Sequence, residues 1–227
     1  MEFVGIDKFS LLDYDEKVSV VLFSPACNFR CPFCHNGESV LNSNTPIPFE
    51  EIYQFLKSRV GLIDAVVFTG GEPTLMPELK ERIKLVKELG FLIKLDTNGT
   101  SPDILEDLIN EGLLDYVAMD IKNSESRYAS TAGCQKINFE NIRKSIEILK
   151  KNRVNYEFRT TLVKEFHNEK SMLEMTNLLR GAKILYLQKF VDRDGVIQKG
   201  LHDISIEEAN HFREILSLVV PTELRGY

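Results

Sequence analysis

The segment AVVFTGGEPTLMPELKERIKLVKELGFLIKL, residues 65–95, decides the fold because it combines two strand patterns with one helix pattern. Continuous apolar runs at residues 65–69 and 91–95 are typical of strands that are buried on both faces. Between these runs, apolar side chains recur at helical spacing, at Leu79, Ile83, Val86 and Leu89. Because parallel strands need a crossover connection, the segment predicts one strand–helix–strand unit of a parallel sheet.

The same alternation extends along most of the chain. Apolar runs predict six strands, at residues 18–23, 65–69, 91–95, 116–121, 156–163 and 184–190. This pattern predicts an α/β fold in which helices cover a parallel sheet, either doubly wound or barrel-like. A complete eight-unit barrel takes about 250 residues, so six units predict an incomplete, open-sided (βα)6 barrel of the TIM type. We expect a single domain at residues 17–227, preceded by an edge extension at residues 1–16.

The composition is that of a mildly acidic globular protein, with 227 residues and a net charge of −6. No long run of Lys or Arg offers the attraction that nucleic acid needs, so we expect no nucleic acid partner. No run approaches the roughly 20 apolar residues of a membrane span, and the start lacks the basic segment of a signal peptide. We therefore expect a cytoplasmic protein that binds no membrane.

Three of the four cysteines lie close together, in the segment CNFRCPFCH at residues 27–35. Spacings of four and three residues allow Cys27, Cys31 and Cys34 to hold one soft metal centre, as in iron–sulfur proteins. Three ligands leave one coordination position open. Cys134 stands a hundred residues away, and we expect it to be a free thiol.

Other interpretations of these cysteines remain open at this point. Zinc can take three Cys and one His, with His35 nearest, although zinc sites usually pair ligands across longer separations. The pattern Cys31-x-x-Cys34-His35 also matches covalent haem attachment, and a thiol–disulfide pair is a further alternative. Both of these leave Cys27 unexplained.

Polar residues lie at or near the end of almost every predicted strand. In parallel α/β folds, ligands bind at the carboxyl ends of the strands, so these residues are candidates for one shared site. They are Gly70, Gly71 and Glu72, then Asp96 and Asn98, then Asp120 and Lys122, then Arg159, and finally Gln188.

Each of these residues also has a purely structural interpretation. The two glycines and the Asn98-Gly99 pair are common in tight turns. Asp120 and Lys122 are two residues apart on a strand, which suits either a simple ion pair or a cradle for a ligand. Arg159, in a strand predicted to be buried, needs an anionic partner, and a bound carboxylate would serve.

The cysteine motif, with the aromatic Phe33 before the last Cys and Gly-Gly-Glu-Pro at residues 70–73, resembles the radical S-adenosylmethionine (SAM) superfamily. Three further segments are similar to the glycyl-radical-enzyme activases: DTNG at 96–99, MDIK at 119–122 and FRTT at 158–161. Within these, FSLLDY at 9–14, CHN at 34–36 and LQKF at 187–190 resemble the activating proteins of anaerobic ribonucleoside-triphosphate reductase. The similarity extends from about Gly5 to Phe190.

The resemblance implies one [4Fe–4S] cluster held by the three cysteines, with SAM on the fourth iron. Reductive cleavage of SAM would give a 5′-deoxyadenosyl radical that abstracts hydrogen from a glycine of the partner, anaerobic ribonucleotide reductase. A flavodoxin or ferredoxin would supply the electron, and no side chain is needed as a general base. Alternatives are a different glycyl radical enzyme or a small molecule as the substrate, or an electron-transfer protein without catalysis.

The resemblance also implies roles around SAM. Phe33 would lie near the adenine, and Gly70, Gly71 and Glu72 would meet the amino group of the methionine. The carboxylate and ribose would be surrounded by Asp96, Asp120, Lys122 and Arg159. His35, Asn98 and Gln188 complete the predicted cofactor-binding set.

Overall fold

A computed structural model describes residues 1–37 and 45–227. Within these residues, eight strands form one sheet in chain order, so that each strand lies beside the next. The first strand is antiparallel to the second, and all later pairs are parallel. The strands are β1 Gly5–Ser10, β2 Ser19–Ser24, β3 Ala65–Gly70, β4 Leu92–Thr97, β5 Tyr116–Asp120, β6 Asn155–Leu162, β7 Leu185–Lys189 and β8 Thr222–Arg225.

Helices cover this sheet. The α-helices in the described part of the chain are α1 Phe49–Lys57, α2 Leu79–Glu88, α3 Pro102–Asn110, α4 Glu125–Thr131, α5 Phe139–Lys150, α6 Glu169–Leu179 and α7 Ile206–Ser217. A short 3₁₀ helix, Pro73–Leu75, follows β3. None of the described helices is long and apolar enough to cross a membrane.

The prediction of an α/β fold with an open parallel sheet is confirmed, since β1 and β8 are not paired with each other. The six predicted strands correspond to β2–β7. β1 lies within the edge extension expected at residues 1–16, which was not assigned a type of secondary structure, and β8 was not predicted. Asp7 and Lys8 interrupt the apolar pattern of β1, and β8 has only four residues, two of which are charged. Edge strands are partly solvated, so they lack the continuous apolar run by which a central strand is recognised.

The core lies between the sheet and its helices. Val20 and Leu22 on β2, and Val66 and Phe68 on β3, are fully buried. Parallel strands are covered on both faces, which explains why these segments are apolar without alternation. Because β2–β8 all run in one direction, their carboxyl ends meet at one edge, and that edge positions the candidate site.

Candidate functional site

A cavity opens at the carboxyl ends of strands β2–β6. It encloses ≈ 840 Å³, part of which is open to solvent. The predicted site residues that line it are Cys27, Cys31, Phe33, Cys34, His35, Gly70, Gly71, Glu72, Asp96, Asn98, Asp120, Lys122 and Arg159. The structure therefore brings together side chains from five strand ends that are up to 132 positions apart in sequence, from Cys27 to Arg159.

Gln188 is the one predicted site residue that does not line this cavity. It lies inside β7, where it is in register with Thr161 of β6 and Arg225 of β8. The sequence predicts Gln188 near the end of a strand at residues 184–190, and β7 ends at Lys189.

Sequence reasoning missed five lining residues: Phe29, Asn36, Thr69, Thr97 and Thr161. Thr161 lies two residues after Arg159 on one strand, so the period of two puts both side chains on the same face. Thr69 and Thr97 are at the ends of β3 and β4, as the strand-end rule would allow. Asn36 had no such signal, because the hydrogen bond from Asn36 Nδ2 to Gly70 O (3.1 Å) depends on the packing of two loops.

The cysteine loop follows β2 and is held by its neighbours. Cys34 N–H donates to Cys31 O (3.0 Å), which closes a turn between two of the thiols. Arg30 N–H donates to Ala132 O (2.9 Å), just beyond α4. A Cβ at Gly133 would lie 2.0 Å from Arg30 O, so only glycine permits this approach.

The thiols lie in a low-dielectric environment. Cys31 is buried, and Cys27 and Cys34 are partly exposed. Burial raises the pKa of Cys27 to about 11 and that of Cys31 to about 12, although Lys122 opposes both shifts. The metal-free thiols of Cys27 and Cys31 are therefore protonated at neutral pH, and binding of a metal centre releases those protons.

Within residues 1–37 and 45–227, no three His, Cys, Asp or Glu side chains converge on one metal ion. A [4Fe–4S] cluster does not require such convergence, because each cysteine binds a different iron atom of the cluster. The three thiols need only line the same cavity, and they do.

Gly70 and Gly71 allow β3 to pass very close to the start of the cysteine loop. Gly70 has a φ of +104°, and a Cβ at that position would lie 2.5 Å from Ser24 N. A Cβ at Gly71 would lie 2.1 Å from Ala26 O. Any larger residue would push the two loops apart, so the glycines act here by close backbone packing.

Glu72 is buried and engaged within the protein. Its Oε1 accepts hydrogen bonds from Thr74 N (3.2 Å), Thr74 Oγ1 (2.6 Å) and Thr97 Oγ1 (2.7 Å). Its Oε2 accepts from Asn98 N (2.6 Å). Burial raises the pKa of Glu72, and these donors oppose the shift. The carboxylate thus joins the loops after β3 and β4, and Oε2 retains one lone pair for a ligand.

Arg159 finds its anionic partners within the chain. Arg159 Nε donates to Asp120 Oδ1 (2.9 Å), and Nη1 donates to Asp96 Oδ2 (3.2 Å). Lys122 Nζ donates to the other oxygen of Asp120 at 3.0 Å. The structural interpretation of these residues as an ion-pair network is therefore correct for the protein itself, and the same groups face the cavity.

This network shifts the titration of its members. Burial would raise the pKa of Asp120, but Arg159 and Lys122 lower it to about 2. Burial disfavours the charged forms of Lys122 and Arg159, and the facing carboxylates nevertheless raise the pKa of both. Asp96 Oδ1 is buried and has no hydrogen-bond donor among the described residues. Lys94 Nζ lies 3.8 Å from this oxygen, which is longer than a hydrogen bond, so the oxygen can still accept a hydrogen bond from a ligand.

Aromatic side chains pack against the cysteine loop. Phe33 is buried, and its ring lies 5.9 Å from that of Phe166 and 6.0 Å from Lys122 Nζ. The His35 ring stacks on Phe190 at 5.8 Å with an interplanar angle of 11°, and His35 Nε2 lies 3.0 Å from Val191 O. These contacts fasten the cysteine loop to the segment that follows β7.

The model of the radical SAM superfamily matches residues 21–179, which is more than half of the chain and includes the cysteine loop. The chain belongs to the radical SAM superfamily. Radical SAM enzymes use a [4Fe–4S] cluster and S-adenosylmethionine, so this chain is an enzyme with those cofactors. Family membership decides between the metals that the cysteine spacing left open, in favour of iron–sulfur over zinc or haem.

Several known proteins resemble this chain over most of its length. A relative from Methanocaldococcus jannaschii, provisionally named a glycyl-radical enzyme activating enzyme, is 34% identical over 215 residues, which are 93% of this chain and 88% of the relative. The pyruvate formate-lyase-activating enzyme of Clostridium pasteurianum is 30% identical over 150 residues, 63% of this chain and 62% of that enzyme. A solved radical SAM methyltransferase from Sphaerobacter thermophilus shares the fold, with a TM-score of 0.74 at 16% identity, over 93% of this chain and 67% of that chain.

The residues present fit the radical SAM cofactors. Three thiols line the cavity, and so do cationic and anionic side chains, among them Asp96, whose buried Oδ1 has no hydrogen-bond donor among the described residues. SAM carries an ammonium, a carboxylate, a sulfonium and a ribose, so a site with both acceptors and cations matches its groups.

Proposed function

We propose that this radical SAM enzyme generates a glycyl radical on a partner enzyme, and that the partner is anaerobic ribonucleoside-triphosphate reductase. The observation that carries the proposal is the 34% identity to a protein named as a glycyl-radical enzyme activating enzyme, over 93% of this chain and 88% of that one. Such coverage leaves little of either protein outside the match. The segments 9–14, 34–36 and 187–190, quoted above, support the reductase as the particular target.

In this proposal the cofactors supply a 5′-deoxyadenosyl radical, and the chain supplies binding, orientation and exclusion of water. Cys27, Cys31 and Cys34 hold the cluster. Phe33, on the cysteine loop, would contact the adenine, and His35 on the same loop would also contact SAM. Gly70 and Gly71 allow the backbone to approach the amino group of the methionine, with the free lone pair of Glu72 Oε2 beside it.

The ion-pair network orients the remaining groups of SAM. Arg159 and Lys122 attract the methionine carboxylate, while Asp120 keeps both cations fixed in place. Asp96 Oδ1 accepts from a ribose hydroxyl or the ammonium, because it lacks a donor in the protein. No side chain of the site acts as a general acid or base in this scheme.

The sheet geometry suits a protein substrate. Its edge strands β1 and β8 are not joined, and the cavity is open to solvent on one side. A loop of a second protein can therefore reach the cavity. The electron would come from a flavodoxin or ferredoxin, and the reaction would take place in the cytoplasm.

The experiment that tests this proposal is anaerobic reconstitution with iron and sulfide, reduction, and incubation with SAM and purified anaerobic ribonucleotide reductase. We expect the electron paramagnetic resonance (EPR) signal of a glycyl radical on the reductase, and none with a Cys31→Ala variant. Cleavage of SAM without radical formation on the reductase would contradict this target. The same assay with another glycyl radical enzyme or with small molecules would then identify the substrate.

A further inference from the structure

The side chain of Asn98 lies between the loop after β4 and the cysteine loop, and it is 6% exposed. Asn98 Nδ2 donates to Asn28 Oδ1 at 2.8 Å and lies 3.9 Å from Cys27 Sγ. Asn98 Oδ1 accepts from Thr100 N (3.0 Å) and from Thr100 Oγ1 (2.7 Å). All four contacts lie at one corner of the cavity.

These contacts determine which way the amide points. The backbone N–H of Thr100 can only donate, so the atom that it meets must be the carbonyl oxygen of Asn98. A further bond, from Asn28 Nδ2 to Thr100 Oγ1 at 2.9 Å, closes a ring of three side chains. Asn98 Nδ2 therefore faces Asn28 and Cys27, with one hydrogen for each.

Cys27 differs from the other two cysteines in the donors around its sulfur. Besides Asn98 Nδ2, its Sγ receives the backbone N–H of Phe29 at 3.4 Å. Among the described residues, neither Cys31 nor Cys34 receives a hydrogen bond at its sulfur. An N–H group beside a thiolate stabilises negative charge on that sulfur.

We propose that Asn98 sets the reduction potential of the cluster by donating an N–H to the sulfur of Cys27, rather than by contacting SAM. Reduction adds one negative charge to the cluster and its thiolates, and hydrogen bonds to the sulfurs are among the factors that set cluster potentials. The donor stabilises the reduced form more than the oxidised form, so it raises the potential. The proposal rests on the proposed role of the three cysteines but not on the identity of the substrate.

A purely structural role for Asn98 makes a different prediction. In that case the ring only joins two loops, and any break in the ring should have the same effect. Thr100→Val removes the hydroxyl that joins Asn28 to Asn98 but leaves Asn98 Nδ2 in place. Asn98→Ala removes the donor, and Asn98→Asp replaces the donor with an acceptor of the same size that also adds negative charge.

The experiment is a redox titration of the full chain, reconstituted anaerobically and without SAM or a partner, followed by EPR of the reduced cluster. We expect the potential of Asn98→Ala to shift to a more negative value than that of the native protein. Asn98→Asp should shift further in the same direction, and Thr100→Val should keep the native potential. Iron and sulfide content and far-UV circular dichroism are measured on each variant.

Three results would overturn the proposal. The first is a native potential in Asn98→Ala at full iron content. The second is a shift in Thr100→Val as large as that in Asn98→Ala, because the donor is then not the cause. The third is a folded Asn98→Ala protein that takes up no cluster, since a residue that only tunes potential is not needed for assembly. If Asn98→Ala does not fold, Asn98→Leu, which is uncharged, of similar size and without an N–H donor, decides in the same way. Failure to activate a reductase leaves this potential series unaffected, so the two proposals fail independently.

Discussion

Glu72 Oε2 accepts the backbone N–H of Asn98 at 2.6 Å, which joins the loop after β3 to the loop after β4. The other oxygen of Glu72 accepts from Thr74 and Thr97, so one buried carboxylate organises two sides of the cavity. A residue singled out for binding a ligand is thus also a structural centre of the site. Stability and cofactor binding should therefore both respond to its substitution.

Glu72→Ala should lower the free energy of unfolding by about 3 kcal/mol, because several buried donors lose their acceptor. Glu72→Gln should lower the free energy of unfolding by roughly half as much. Its amide oxygen can replace Oε1 as the acceptor, and its NH₂ group then faces only the N–H of Asn98. Anaerobic urea denaturation of the metal-free protein measures both. Equal stability of Glu72→Ala and the native protein would show that the donors find water instead.

His167 should make stability depend on pH. It is 3% exposed, Val163 N–H donates to its Nδ1 at 3.0 Å, and its Nε2 lies 2.9 Å from Lys122 O. Burial lowers its pKa from 6.5 to about 4. Between these values the unfolded chain binds more protons than the folded one. Stability should therefore be intact above pH 6.5 and fall by about 3 kcal/mol as the pH decreases to 4.

The variant His167→Gln should lose this pH dependence while being less stable at neutral pH, because two hydrogen bonds are altered. His211→Gln is the control, since His211 is exposed and its side chain contacts only Glu169 among hydrogen-bond partners in the described residues. Denaturation midpoints from pH 4 to 7 are compared. If the denaturation midpoint of His167→Gln changes with pH as steeply as that of the native protein, the pH dependence belongs to other groups.

Gly71→Ala should prevent correct assembly of the cysteine loop. Its Cβ would lie 2.1 Å from Ala26 O, a backbone atom that cannot move without displacing the loop. We expect at least a tenfold loss of bound iron after reconstitution. Gly90→Ala is the control, because its Cβ meets nothing within 4 Å and only the positive φ of +94° costs about 1 kcal/mol. Similar iron content in both variants would refute the steric argument.

Arg159→Met should destabilise the protein by about 3–5 kcal/mol, because it leaves the carboxylates of Asp96 and Asp120 buried without their shared cation. Lys122→Met should destabilise the protein less, because Asp120 still accepts the hydrogen bond from Arg159. Both variants should bind SAM more weakly. Thermal unfolding and equilibrium binding of SAM to the reconstituted protein measure the two effects. A smaller loss for Arg159→Met than for Lys122→Met would reverse the assigned order.

Cys31→Ala should abolish the cluster, whereas Cys134→Ser should retain it. Cys31 lines the cavity, while Cys134 Sγ lies outside its lining and contacts Asn28 O (3.6 Å) and Ala132 O (3.5 Å). Iron and sulfide analysis after reconstitution distinguishes them. Loss of iron in Cys134→Ser would make Cys134 part of the metal site.

Several features of the site could be predicted from the sequence because they depend on local order. The spacing of Cys27, Cys31 and Cys34 lies within one loop, and apolar periodicity identifies β2–β7 and their direction. Once the strands are parallel, their carboxyl ends must meet at one edge, so Glu72, Asp96 and their neighbours share a cavity. The weakly patterned edge strands β1 and β8 gave no comparable signal.

The pairing of side chains was decided only by the tertiary structure. Arg159 contacts Asp120, 39 positions earlier, and Asp96, 63 positions earlier, because strand register places Asp120 directly beside Arg159. Asn98 faces Asn28 and Cys27 across 70 and 71 positions, and Gln188 lies within its strand, outside the cavity lining. Periodicity within a segment specifies which face a residue takes, whereas register and loop packing between segments specify which partner it meets.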